Sequence, residues 1–157
     1  MNNIICMMIL GGELMPHQTT KYSKKAELID DREFELGQIW LMKDELLTIP
    51  QADRIKNGRK MHEIRAVVIT QNNEQNYNKM CPIITVAPLS HRIDLKRKYD
   101  VELSSANDNV DCDCIVQIPL CQPVLKIDLE EMKGIISTEK MAEIIDAQLE
   151  RLGIDID

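Results

Sequence analysis

Arg65 and Ser90 close the two ends of one strand–loop–strand unit, and they are the side chains most suited to chemistry together. The unit opens Arg65-Ala66-Val67-Val68-Ile69-Thr70, crosses a polar run from Gln71 to Lys79, and returns as Pro82-Ile83-Ile84-Thr85-Val86-Ala87-Pro88-Leu89-Ser90. Both apolar runs are short and rich in β-branched residues, the pattern of strands rather than helices. Antiparallel pairing around the loop brings their outer ends to one sheet edge. A guanidinium then stands beside a hydroxyl, with His62, His91 and Arg92 flanking them. A guanidinium is a rigid fork of donors matched to phosphoryl oxygens, so contact with a phosphate is the chemistry this pair offers. The same residues also read as a strand-end arginine paired with Glu63 and a serine capping a turn.

The charge balance narrows the partners. The chain carries 19 Lys and Arg against 26 Asp and Glu, a net charge of −7, which argues against general coating of nucleic acid. Aromatic residues make up 3%, too few for base-stacking platforms. The basic residues are nonetheless clustered: Arg54, Lys56, Arg59, Lys60 and Arg65 in one segment, Arg92, Lys96, Arg97 and Lys98 in another. Both segments flank the strand pair. A small basic site on an acidic body suits transient phosphate contact. The stretch from Lys43 to Ile64, broken by Pro50, Asn57 and Gly58, reads as a long loop, either a phosphate-steering arm or simply a solvated one.

At 157 residues the chain is one domain, with or without a tail, and large enough to bury a core unaided. Five cysteines at irregular spacing are not a disulfide framework and fit a reducing cytoplasm. Cys112-Asp113-Cys114 lacks the second ligand pair that a zinc site needs. The apolar run Ile4 to Leu10 is too short to span a bilayer and lacks a basic flank. Residues 1–33 read as a variable N-terminal extension with a short helix near Lys24 to Asp30, and residues 34–157 as the folded domain.

The remaining elements must position the pair. Gly37-Gln38-Ile39-Trp40-Leu41-Met42 is a strand buried on both faces. Tyr99 to Leu103 alternates as a half-buried strand does, and Cys114 to Ile118 is a short apolar strand. Pro119 and Pro123 keep Leu120 to Leu125 at a sheet edge. Ile127 to Ile136 is a short closing strand or turn. Ser137 caps a helix whose apolar stripe of Met141, Ile144, Ile145, Leu149 and Leu152 packs on the sheet, and Gly153 ends it. Short, mostly antiparallel strands with one C-terminal helix predict a mainly β (α+β) domain, a small curled antiparallel sheet or partly open barrel.

From Gly37 to about Ile154 the order of these elements resembles the MazF/PemK-type toxins, the mRNA interferase family. Gly37-Gln38-Ile39-Trp40-Leu41, Arg65-Ala66-Val67-Val68-Ile69, Val86-Ala87-Pro88-Leu89-Ser90, Gln117-Ile118 and Lys133-Gly134-Ile135-Ile136-Ser137 resemble five of its motifs in order. The resemblance implies an SH3-like barrel that dimerises, is inhibited by a cognate antitoxin, and cleaves single-stranded RNA without metal or cofactor. By motif position the catalytic pair is Arg65 and Ser90. Gln117 and the basic loops, with Lys56, Arg59, Lys60, His62, His91 and Arg92, would hold RNA; His62, His91 and Glu63, or a strongly perturbed Arg65, are the candidates for proton transfer. The sequence departs from the family pattern at Ala66, at Pro119 and in the loop before Arg65. Pro119, where the family has an arginine, motivates a second reading: a catalytically inactive MazF- or CcdB-like barrel serving as a regulatory or partner-binding module.

Overall fold

The computed structural model describes residues 24–50 and 61–154. Seven antiparallel strands form its framework: β1 (Gln38–Lys43), β2 (Ile64–Ile69), β3 (Ile83–Ser90), β4 (Val101–Leu103), β5 (Cys114–Val116), β6 (Gln122–Leu125) and β7 (Leu129–Ile135). They lie in the order β4-β5-β3-β2-β1-β7, with β6 also on β3. β3 is the hinge of this sheet. One edge pairs with β2, while the other takes β6 along its first half and β5 along its last two residues. Pro119 lies in the tight turn Ile118–Leu120 that carries the chain from β5 to β6 along this edge. Pro123 sits in β6, which among the described residues pairs with β3 alone, as proline in a sheet requires.

Continuous apolar runs follow from burial on both faces. One face of β2 and β3 gives Val67, Ile69, Ile84 and Val86 to a core with Phe34, Trp40, Met42 and Leu129. The other gives Val68, Ala87 and Leu89 to a core with Ile39, Leu103, Val116, Met141 and Ile144. Gly37 makes the entry to β1 possible. Its φ is +86°, and a Cβ there would meet Met141 Sδ at 3.4 Å.

Three expectations need amendment. The loop after β2 contains a one-turn helix, α1 (Asn73–Asn76), because Asn72 Oδ1 accepts from Gln75 N and the buried Asn76 donates to Gln71 O. The closing element β7 is a full seven-residue edge strand rather than a short one. The long helix α2 (Thr138–Arg151) is capped by Ser137 as expected, but only part of its stripe is covered. Met141 and Ile144 are buried, whereas Ile145 and Leu152 are exposed, because the helix meets β4 and the Ile118–Leu120 turn and then runs past them.

Before β1, the short helix expected near Lys24 is a 3-10 turn, Lys25–Leu28. Arg32 then donates to Leu129 O at 2.6 Å and Lys126 O at 3.0 Å, and its guanidinium lies over both Phe34 and Trp40. Asp30 holds that guanidinium from the other side.

Asp100, at the start of β4, carries a pH signature. It is buried; one oxygen accepts from Arg97 N, and Oδ1 has no hydrogen-bond partner among the described residues. Burial raises its pKa above the ordinary carboxylate range. The folded state therefore takes up the proton more readily than the unfolded chain, so this group favours folding below its folded pKa and costs stability above it. Asp100→Asn is expected to be at least as stable as the parent at pH 7.5, with that advantage shrinking toward pH 4. Urea melts at the two pH values measure it; a variant less stable at pH 7.5 than at pH 4, relative to the parent, contradicts the assignment.

Candidate active site

The β2–β3 register brings the ends of the two strands together. Val67 faces Pro88 and Val68 faces Ala87, where the ladder ends; the same register continued by two residues sets Arg65 across from Ser90, and Arg65 Nη1 reaches the neighbouring Leu89 O. On its other side Ser90 pairs with Ile115 of β5. Side chains alternate across a strand, so Arg65, Ser90 and Gln117 belong to one sheet face. Gln117 continues the ladder by donating its N–H to Pro88 O at 2.9 Å.

Arg65 does not project freely. Its Nε donates to Asp44 Oδ1 at 2.5 Å and its Nη1 to Leu89 O at 2.8 Å. The arginine side chain is 12% exposed and that of Asp44 is fully covered. The carboxylate that meets Arg65 is thus Asp44, in the tight turn Asp44–Leu46 that ends β1, and not Glu63. Burial lowers the Arg65 pKa. A carboxylate in contact favours the charged form, and an arginine starts so far above neutrality that it stays cationic. Two sides of the fork are committed. For Nη2 no hydrogen bond is found among the described residues, so this nitrogen is the donor left to face a ligand.

Around this centre the other candidates divide. Ser90 is half-buried, and its Oγ accepts from Arg92 N at 3.2 Å, which leaves its hydroxyl proton available to donate. His62 is exposed, with its backbone N–H held by Asp44 Oδ2 at 2.9 Å. His91 is exposed at the end of β3, with Nε2 3.2 Å from Cys112 Sγ. Arg92 is exposed and paired with Asp94, whose hydrogen bonds raise its pKa. Lys56, Arg59 and Lys60 lie outside the described residues.

Asp44 is the residue that reading the sequence missed. It stood in what read as the start of a loop, and its only signal was an acid directly after a strand whose partner opens with arginine. Among the described residues, no group of three or more His, Cys, Asp or Glu converges in a way that could hold a metal ion. A polar cleft of about 300 Å3, lined by Thr70, Gln71, Thr85 and Arg151, lies toward the opposite end of β2 and β3. An acidic groove of about 570 Å3 runs between β4 and α2. Neither includes Arg65 or Ser90.

A curled, unclosed seven-stranded antiparallel sheet with a C-terminal helix, carrying Arg65 and Ser90 at one end, defines a small α+β fold. The chain belongs to the PemK-like, MazF-like toxins of type II toxin–antitoxin systems, whose family model matches residues 31–152. Solved structures support the fold. An endoribonuclease in complex with its cognate antitoxin from Mycobacterial species is 14% identical, with a TM-score of 0.57 over 80% of this chain and 98% of that one. The Mycobacterium tuberculosis toxin MazF-mt6 is 14% identical, with a TM-score of 0.57 over 76% of this chain and 99% of that one. A MazE–MazF structure from Deinococcus radiodurans is 16% identical, with a TM-score of 0.56 over 80% of this chain and all of that one. No curated protein matches the chain in sequence. No described helix is long and apolar enough to cross a membrane.

Proposed function

We propose that the protein is a toxin-type endoribonuclease that cleaves single-stranded RNA without a metal, acts in the cytoplasm as a homodimer, and is silenced by a cognate antitoxin. The observation that carries this is the cross-strand placement of Arg65 and Ser90 in a chain of the MazF-like family. The ribose 2′-oxygen attacks the adjacent phosphorus; that O–P bond forms as the bond from phosphorus to the 5′-oxygen breaks. The products are a 2′,3′-cyclic phosphate and a 5′-hydroxyl. Negative charge grows on the phosphoryl oxygens, where Arg65 Nη2 and the Ser90 hydroxyl supply fixed donors. Arginine stays protonated and is a poor base, so the 2′ proton goes to His62, His91 or Glu63, and the departing 5′-oxygen takes up a proton. Gln117, His62, His91, Arg92 and the basic segment with Lys56, Arg59 and Lys60 grip the strand.

Purified protein incubated with single-stranded RNA in EDTA is expected to yield fragments ending in cyclic phosphate. Ser90→Ala is expected to slow this by roughly 100-fold, the cost of one positioned donor. RNA left intact by the parent protein overturns the reading. The second reading, an inactive barrel that binds a partner, draws on the low exposure of Arg65 and on Pro119. It predicts intact RNA together with growth arrest or partner capture.

A further inference from the structure

We infer that Asp44 is a positioning residue for the reaction, setting the angle at which Arg65 meets the scissile phosphate. This rests on the endoribonuclease reading above. A guanidinium on a flexible stem is aimed only if something fixes its plane, and the Nε edge is where a carboxylate can do so without covering the two terminal nitrogens. Asp44 Oδ1 takes that edge, and Leu89 O takes Nη1. The carboxylate is itself immobile. Its side chain has no solvent exposure, it belongs to the turn closing β1, and its second oxygen accepts the His62 backbone N–H. One buried group thus fixes both the fork and the backbone from which His62 projects. Both lie at the β1–β2 end, where Lys43 pairs with Ile64 and Met42 with Arg65.

The position has an electrostatic cost that separates aiming from binding. A carboxylate beside the fork weakens its field toward an anionic ligand. If Asp44 served RNA affinity, its charge would be of the wrong sign. Its value must lie in orientation, which acts on the chemical step.

Asp44→Asn keeps the size of the side chain and removes the charge. The amide has one acceptor oxygen for two N–H donors, so Arg65 or His62 loses its hold. The expected result is a fall in kcat of about 100-fold, the scale of a misplaced catalytic group. KM should be no higher than in the parent, because a negative charge near the phosphates has gone. A purely structural role would instead lower the active fraction in step with the melting curve and leave KM and kcat per folded molecule unchanged; that outcome overturns the inference, as does a raised KM with unchanged kcat. If Asp44→Asn is unfolded at the assay temperature, Asp44→Glu decides: charge is kept but the carboxylate is pushed toward Arg65. A kcat at least 10-fold lower, with KM as in the parent, supports aiming, and a parental kcat overturns it. The parent protein is assayed alongside. Intact RNA with the parent refutes the nuclease reading and this inference with it, whereas an active parent with an indifferent Asp44 refutes the inference alone.

Discussion

Arg65→Lys is expected to reduce RNA cleavage by roughly 100- to 1000-fold while the protein stays folded. A lysine keeps the positive charge near Asp44, so the buried carboxylate is still compensated. What it loses is the planar fork that can bond Asp44, Leu89 O and a phosphoryl oxygen at once. Removal of a preorganised donor at a developing oxyanion carries a cost of this size. Arg65→Ala is a different experiment. It removes the guanidinium that meets the buried Asp44, and breaking a buried ion pair from one side costs about 3–5 kcal/mol. A dead alanine variant would therefore report lost folding as readily as lost chemistry, and the lysine variant is the informative one. Cleavage rates per folded molecule, with folding followed by thermal melts, separate the two.

A large effect on stability is also expected at Lys126. This side chain is 1% exposed, an unusual place for an ammonium group. It begins the turn Lys126–Asp128, and its Nζ donates to Asn76 O at 2.7 Å and Asn78 O at 3.0 Å, so it stitches that turn to the segment after α1. The ring of Phe34 lies 5.8 Å from it. Burial lowers the Lys126 pKa, so holding the charge here is itself a cost that the two carbonyls and the ring offset. Lys126→Met removes that cost but leaves the Asn76 carbonyl without its donor, while Asn78 O still accepts from Cys81 N at 3.1 Å. An unsatisfied buried carbonyl costs about 1–3 kcal/mol, so a net loss of about 2 kcal/mol is expected. For a domain of this size that lowers Tm by roughly 6 °C. A Tm within 2 °C of the parent, roughly the effect of less than 1 kcal/mol, would mean that water or the backbone satisfies that carbonyl once lysine is gone.

The strands at the heart of the site were legible because they are buried on both faces. Val67, Val68 and Ile69 cannot be periodic when each faces a core, and unbroken β-branched runs are what such a strand needs. The cap at Ser137 and the stop at Gly153, with φ +79°, were legible because each depends on a single residue type. The placement of Arg65 and the end of β3 at one end of the sheet followed from antiparallel geometry once both strands were placed. Asp44 was not legible, since its role depends on β1 ending beside the start of β2, a contact between segments separated by a long connection. Lys126 and Arg32 were hidden as well: beside the Asp30 contact of Arg32, both donate to distant backbone carbonyls, which leave no mark in the pattern of side chains. The exposed end of the helical stripe shows the converse limit. Ile145 and Leu152 keep the helical rhythm, but the sheet does not extend beneath them.

The central claim is that the covered, doubly tethered guanidinium of Arg65 acts on RNA rather than serving only as a strand-end ion pair. Single-turnover cleavage of a single-stranded RNA in EDTA, comparing the parent with folded Arg65→Lys, tests it most directly. A parent that releases 2′,3′-cyclic phosphate ends, and a lysine variant at least 100-fold slower with an unchanged melt, is the predicted result. Equal rates in the two proteins, or no cleavage by the parent, would contradict it.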